Sequence, residues 1–407
     1  MLEWQDIIDI SLSIRFNMAS IFPKLTGRFN VGVVDIVQKN FLGRLFYPSS
    51  IHDNLAEDKI LHTKQTDRQI LSKNFQDSHL NSAPWHAEIS YLKNYEFFIK
   101  NPKIMSDIRL PDKVSFSPIF ELDNSVPLVI YSHGLYGNRF NNSFTNSTIA
   151  SHGYAVLALE HRDGTANLSF NLNDKNVKVY RPYQKLGIKG FNKEMFSKRD
   201  EQMTFRHEEI LNSLKYFSLD QDLSVPLDQS RRLGQNRSPL RLSEIVDKTV
   251  APTFIGHSFG AATGFKFSQT YEDMFNKLIM LDPFTFMISK DTLKLANENF
   301  KTGNVTTENL TILSQEFADY QKIVDKIEKI PNQELVTAKY SNHMSIGSDF
   351  SLLYEKMKGE GFVDDNSAWK NDPDYLDLKV ECNNAAEILR FVNLRILRFL
   401  KEDSRYA

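Results

Sequence analysis

A single cysteine, Cys382, occurs in the whole chain of 407 residues. An intramolecular disulfide is therefore excluded, and so is a zinc site of the Cys-x-x-Cys kind. Long apolar runs are missing as well: none reaches the roughly 18 to 20 residues that a membrane-crossing helix needs. Neither sign of charge dominates, because 49 Lys and Arg stand against 51 Asp and Glu, a net charge of -2. That balance gives no electrostatic case for a nucleic-acid partner. The opening residues Met1-Leu2-Glu3-Trp4-Gln5-Asp6 carry no basic region, apolar stretch or small-residue cleavage site of a signal peptide. Leu2 stands where myristoylation needs glycine, so that modification is not expected. Asn146, Asn236 and Asn309 open glycosylation sequons, which are expected to be chance because no secretion signal is expected. The expectation is a cytoplasmic protein, at most peripheral on membranes.

What is present is an ordinary globular composition, 41% hydrophobic and 25% charged, sufficient for a large core. Residues 2–22 space Trp4, Ile7, Ile8, Ile14, Met18, Ile21 and Phe22 along one face of an amphipathic helix ended by Pro23. Val31–Val37 and Phe41–Tyr47 read as two strands joined at Lys39 and Asn40, with Pro48 stopping the second. Residues 49–85 are weakly patterned and read as a loop or excursion.

From residue 127 short apolar runs alternate with longer helical stretches. The runs are 127–131, 154–159, 251–255, 277–281 and 309–313, with a last strand at 335–338. Continuous apolar strands separated by helices predict a mostly parallel sheet covered by helices on both faces. One α/β unit then spans 1–407. It carries an insertion at about 164–248, within which 199–217 reads as a helix and Pro226 to Pro239 as loop. The stretch 384–401, apolar at Ala385, Ile388, Leu389, Val392, Ile396 and Phe399, reads as a closing helix.

The strand at 251–255 runs straight into Gly256-His257-Ser258-Phe259-Gly260, and Ala261-Ala262-Thr263-Gly264 then opens a helix. Gly-x-Ser-x-Gly alone is a weak signal. In a strand-turn-helix context it marks the nucleophile turn of the α/β-hydrolase fold, with Ser258 as nucleophile. A serine hydroxyl needs a base to take its proton and donors to hold the oxyanion it creates. Chain order in this fold is serine, acid, histidine. His343 is the one histidine after Ser258, and it follows the last strand. Asp282 ends the strand at 277–281 and is the candidate acid, whereas Asp273, Asp291, Asp319 and Asp325 have polar, helix-like surroundings. The N–H groups of Phe259 and Leu135 are the candidate oxyanion donors, Leu135 lying in the His133-Gly134 loop after the strand at 127–131. The side chain of His257 is expected to point to the other side of the turn. His161 and Asp163 suggest a buried polar network beneath the oxyanion loop.

These segments together resemble the platelet-activating factor acetylhydrolases of the plasma and intracellular type II kind. The resemblance rests on Val31-Gly32-Val33-Val34-Asp35, Gly43-Arg44-Leu45-Phe46-Tyr47-Pro48, Ser132-His133-Gly134-Leu135, Glu160-His161-Arg162-Asp163, Arg199-Asp200-Glu201-Gln202 and Gly256-His257-Ser258-Phe259-Gly260-Ala261-Ala262-Thr263. Tyr136 departs from it, standing where the family has a glycine. The resemblance implies a calcium-independent phospholipase A2 that needs no cofactor or metal. Its implied substrate is a phospholipid with a short or oxidised sn-2 acyl chain. It also implies lipid contact near residues 89–109, and 2–22 is a second candidate for such contact. Two competing readings stay open: a general carboxylesterase or lipase, and a non-catalytic binding module on the same fold. Acetyl-phospholipid against aryl ester activity separates the first, and fluorophosphonate labelling the second.

Overall fold

The structure is a computed structural model, and it describes residues 21–49, 108, 110–111, 113–115, 125–187, 192–218, 245–359 and 384–401. The expected features at 2–20, 50–107 and Pro226 to Pro239 lie outside those residues, as does Cys382.

The strands of the main sheet are β1 (Asn30–Val37), β2 (Leu42–Ser49), β3 (Val114–Ser115), β4 (Leu128–Ser132) and β5 (Ala155–Leu159), followed later by β8 (Thr253–His257), β9 (Lys277–Leu281), β10 (Glu308–Ser314) and β11 (Gln333–Ala338). Between them, β6 (Leu168–Leu172) and β7 (Lys178–Pro182) form a separate antiparallel hairpin. Nine strands line up in the order β11-β10-β9-β8-β4-β5-β2-β1-β3. The six strands from β11 to β5 are parallel, whereas β2 pairs antiparallel with both β5 and β1.

Side chains alternate across each central strand, as pleated geometry requires. On β4, Val129 and Tyr131 enter one apolar layer and Leu128 and Ile130 the other; on β8, Ile255 and Phe254 divide the same way. The first layer is closed by α1 (Ser143–Ser151), α8 (Phe350–Gly359) and α9 (Ala385–Lys401). The second is closed by α2 (Lys193–Ser218), α3 (Phe259–Thr270) and α4 (Lys290–Thr302). Shorter helices α5 (Gln315–Ala318), α6 (Gln321–Ile327) and α7 (His343–Gly347) sit in the loops after β10 and β11. In α9 all six apolar residues singled out from the spacing are buried. Each large one contributes about 1.5–3 kcal/mol by leaving water.

Pro48 does not stop β2. The strand continues to Ser49, with Pro48 opposite Val31. Pairing with β5 ends at Phe46, so no acceptor on that side awaits the N–H that proline lacks. The stretch after 164 is also more ordered than its composition suggests, because it holds the β6–β7 hairpin and a helix that begins at Lys193 rather than 199.

The chain adds β5 on one side of β4 and later adds β8 on the other. The carboxyl ends of β4 and β8 therefore flank the point where the direction of winding reverses, and a crevice opens there in sheets of this kind.

Candidate active site

Ser258 occupies the turn between β8 and α3, with φ 55° and ψ -116°. This is a strained conformation for a residue with a Cβ, and such strain persists only where surroundings enforce it. Here they do. The Ser258 N–H donates to the Leu281 carbonyl, and the Ser258 carbonyl accepts from the N–H groups of Ala261, Ala262 and Phe284. Gly260 permits the close approach of the turn to the neighbouring strand, since a Cβ there would collide with the Ser132 carbonyl oxygen.

Asp282 follows β9 directly and is fully buried. Its Oδ1 accepts the Ser314 N–H at 2.7 Å, and its Oδ2 accepts the Ser314 hydroxyl at 2.6 Å. The same Oδ2 lies 3.1 Å from Nδ1 of His343. Accepting at Asp282 fixes the proton of His343 on Nδ1 and leaves Nε2 as the basic nitrogen. Burial pushes the Asp282 carboxyl above its ordinary value, and the two Ser314 bonds oppose that rise. Burial also pushes the His343 imidazole down, so the resting ring is neutral.

His343 is held at its backbone and at its ring. Its backbone N–H donates to Glu316 Oε2 at 2.9 Å, and Phe317 stacks on its ring at 4.6 Å and 5°. Ser258 Oγ is not among its hydrogen-bond partners. Catalytic hydrogen bonds are often long in a free enzyme and tighten with substrate.

The oxyanion loop presses on the nucleophile: a Cβ on Gly134 would lie 2.9 Å from the Cβ of Ser258. Phe259 is the first residue of α3, so its N–H has no intrahelical acceptor and sits at the positive end of the helix. His133 Nδ1 donates to the Gly134 carbonyl at 2.7 Å, while its Nε2 accepts the His161 N–H at 3.1 Å. A trans peptide points N–H opposite to C=O. Pinning the Gly134 carbonyl therefore aims the Leu135 N–H the other way.

Beneath this loop every member of the Glu160-His161-Arg162-Asp163 segment has a partner. Glu160 pairs with Arg139. His161 joins the Ser132 hydroxyl at 2.8 Å to Glu209 at 2.9 Å, and Arg162 Nε donates to Glu209 at 2.9 Å. Asp163 pairs with Arg206 at 2.8 Å, and Arg206 also donates to the His133 carbonyl at 2.8 Å. Next to it, burial opposes the charge on Asp35. The Arg44 and Arg139 guanidiniums outweigh that and hold its carboxyl well below the usual carboxylate range.

The carboxylates set aside from the sequence, Asp273, Asp291, Asp319 and Asp325, are all exposed. His257 corrects an expectation. It does not turn away from the site, because its ring lies 4.5 Å from that of His343. Ser314, Glu316, Phe317, Arg206 and Glu209 were not singled out. Of these only Arg206 leaves a trace in the sequence, as a charge spaced three and four residues from Met203 and Ile210 on the buried stripe of α2.

A strained serine at the end of a central parallel strand and a buried carboxylate paired with a histidine after later strands mark an α/β hydrolase of the carboxylic ester hydrolase class. Residues 14–374 match the family model of platelet-activating factor acetylhydrolase, isoform II, and the chain belongs to that family. Among curated proteins it is 24% identical over 376 residues to the platelet-activating factor acetylhydrolase of Bos taurus, covering 86% of this chain and 74% of that one. It is 28% identical over 267 residues to a putative phospholipase A2 of Schizosaccharomyces pombe, covering 62% of this chain and 60% of the other. Among solved structures, a ferulic acid esterase from Streptomyces cinnamoneus superimposes with a TM-score of 0.53 at 14% identity, covering 93% of this chain and 91% of that one. That likeness concerns the fold alone.

Proposed function

We propose that the protein hydrolyses the sn-2 ester of phospholipids that carry a short or oxidised acyl chain. The observation that carries the chemistry is the Asp282–His343 pair, which leaves a neutral Nε2 at the carboxyl end of the sheet that also bears Ser258. Family membership supports the choice of lipid.

In this reading Ser258 Oγ attacks the ester carbonyl carbon while His343 Nε2 takes the hydroxyl proton. The carbonyl oxygen gains the negative charge and is held by the Leu135 and Phe259 N–H groups. The tetrahedral species collapses, the bond to the lyso-phospholipid oxygen breaks, and His343 returns its proton to that oxygen. Water then attacks the acyl-serine with His343 again as base, and the carboxylic acid leaves. Asp282 holds the tautomer and supports the imidazolium that forms twice in the cycle. Peripheral contact with the lipid surface belongs to the same proposal.

The test is hydrolysis of a phosphatidylcholine series of graded sn-2 length, with and without chelator, beside an aryl ester. The reading expects turnover highest for acetyl, falling with chain length and unchanged by chelator. Aryl ester turnover without any phospholipid turnover would favour the general carboxylesterase instead.

A further inference from the structure

His257 has no assigned part in the reaction, yet it touches three pieces of the site. Its Nε2 lies 3.0 Å from the backbone carbonyl of His343, which can only accept, so Nε2 carries the proton. Its ring lies tilted against the His343 ring at 4.5 Å and 30°, while Phe317 stacks on that same ring at 4.6 Å. The Nδ1 side reaches the oxyanion loop, where a Cβ on Gly134 would lie 3.4 Å away. The chain also reserves space for this ring. Gly347 has no left-handed backbone to explain its missing side chain, but a Cβ there would collide with the His257 imidazole.

We infer that His257 is a positioning residue: a neutral imidazole that clamps the His343 loop to the nucleophile turn through its Nε2–H and presents a ring face to the imidazolium formed at His343. The inference rests on the serine-hydrolase reading of the site. A ring that rotates on an unheld backbone carries Nε2 off the serine proton, and a displacement of about 1 Å at such a position costs on the order of 100-fold in rate. The neutral ring adds electron density beside a developing cation, as aromatic faces do. Burial and the neighbouring His343 both push the His257 pKa down, which agrees with the neutral form.

The experiment compares His257→Phe, which keeps a ring and loses the donor, with His257→Gln, which restores an N–H at similar reach. The readouts are kcat and KM on a soluble aryl ester. Phe is expected to lower kcat about 10- to 100-fold with KM within about two-fold, and Gln to recover to within about five-fold of wild type. If His257→Phe fails to fold, Gly347→Ala decides. It should lower kcat in the wild type and cost nothing further in a His257→Ala background. A Phe variant with wild-type kcat, a Gln variant no better than Phe, or a Gly347→Ala effect that persists without the ring overturns the inference. Ser258→Ala in the same assay separates this failure from failure of the underlying reading, since only the latter leaves that variant active.

Discussion

Ser314 donates twice to Asp282, from its backbone N–H at 2.7 Å and its hydroxyl at 2.6 Å. The strand after the acid thus supplies the bonds that let a fully buried carboxylate carry charge. Ser314 also caps α5 by accepting from Phe317 N–H, and Phe317 is the residue stacked on His343.

Ser314→Ala removes one of the two bonds that lower the Asp282 pKa. Burial then acts with less opposition and the pKa rises further. The ionised form, which holds His343, is lost at higher pH as acidity increases. The acid limb of the kcat/KM profile should move up by about one pH unit, as expected for a bond to a charged group. A pH series from 5 to 9 checks it, and an unmoved or lowered limb refutes it.

Arg206 is fully buried and bonds Asp163, Thr165 and the His133 carbonyl. Arg206→Met strands the Asp163 carboxylate and releases the oxyanion loop. Stability should fall by about 3–5 kcal/mol, the usual cost of breaking a buried pair from one side. Urea unfolding measures this directly. A loss below about 1 kcal/mol would show that the network is not required.

Tyr136 adopts φ 62° where related chains are expected to have glycine, and its ring packs edge-on against Tyr183 at 5.2 Å. Tyr136→Gly relieves about 1–2 kcal/mol of backbone strain but forfeits about 0.5–1.5 kcal/mol of aromatic contact. Stability should stay within about 1 kcal/mol of wild type. Tyr136 directly follows the candidate oxyanion donor Leu135 in the chain, so the variant should accept longer sn-2 chains. An unchanged chain-length profile in the phosphatidylcholine series would remove Tyr136 from the acyl site.

Gly260→Ala places a methyl group against the Ser132 carbonyl. Backbone cannot yield as a flexible side chain does, so the turn must shift. Activity should fall at least about 100-fold even where the variant stays folded, because the shift displaces Ser258 itself. Near wild-type kcat in a folded variant would contradict the tight-turn account.

The sheet was legible because its central strands are buried on both faces, and an apolar run such as Leu278 to Leu281 needs no partner to be recognised. Ser258 and His343 were legible through a local motif and through chain order. The β6–β7 hairpin was not, since residues such as Lys178 and Arg181 are exposed and carry no apolar alternation. Pro48 does not end the strand because the rule against proline in strands holds only where the side faced by its missing N–H is paired, and here the β5 side is not. Ser314 and Glu316 were invisible for a different reason. Their role depends on β10 lying beside β9 and on the β11 loop returning over them, contacts that no local pattern records. The place of His257 is not legible from the turn alone, because it depends on the Gly347 helix that comes to meet it.

The central claim is that Ser258 is the nucleophile of an ester hydrolase. A fluorophosphonate probe followed by peptide mass analysis tests it most directly, alongside ester turnover of Ser258→Ala. The account predicts a single adduct on Ser258, none in the variant, and turnover reduced to a trace in a protein that melts like the wild type. An adduct elsewhere, or substantial turnover by folded Ser258→Ala, would contradict it.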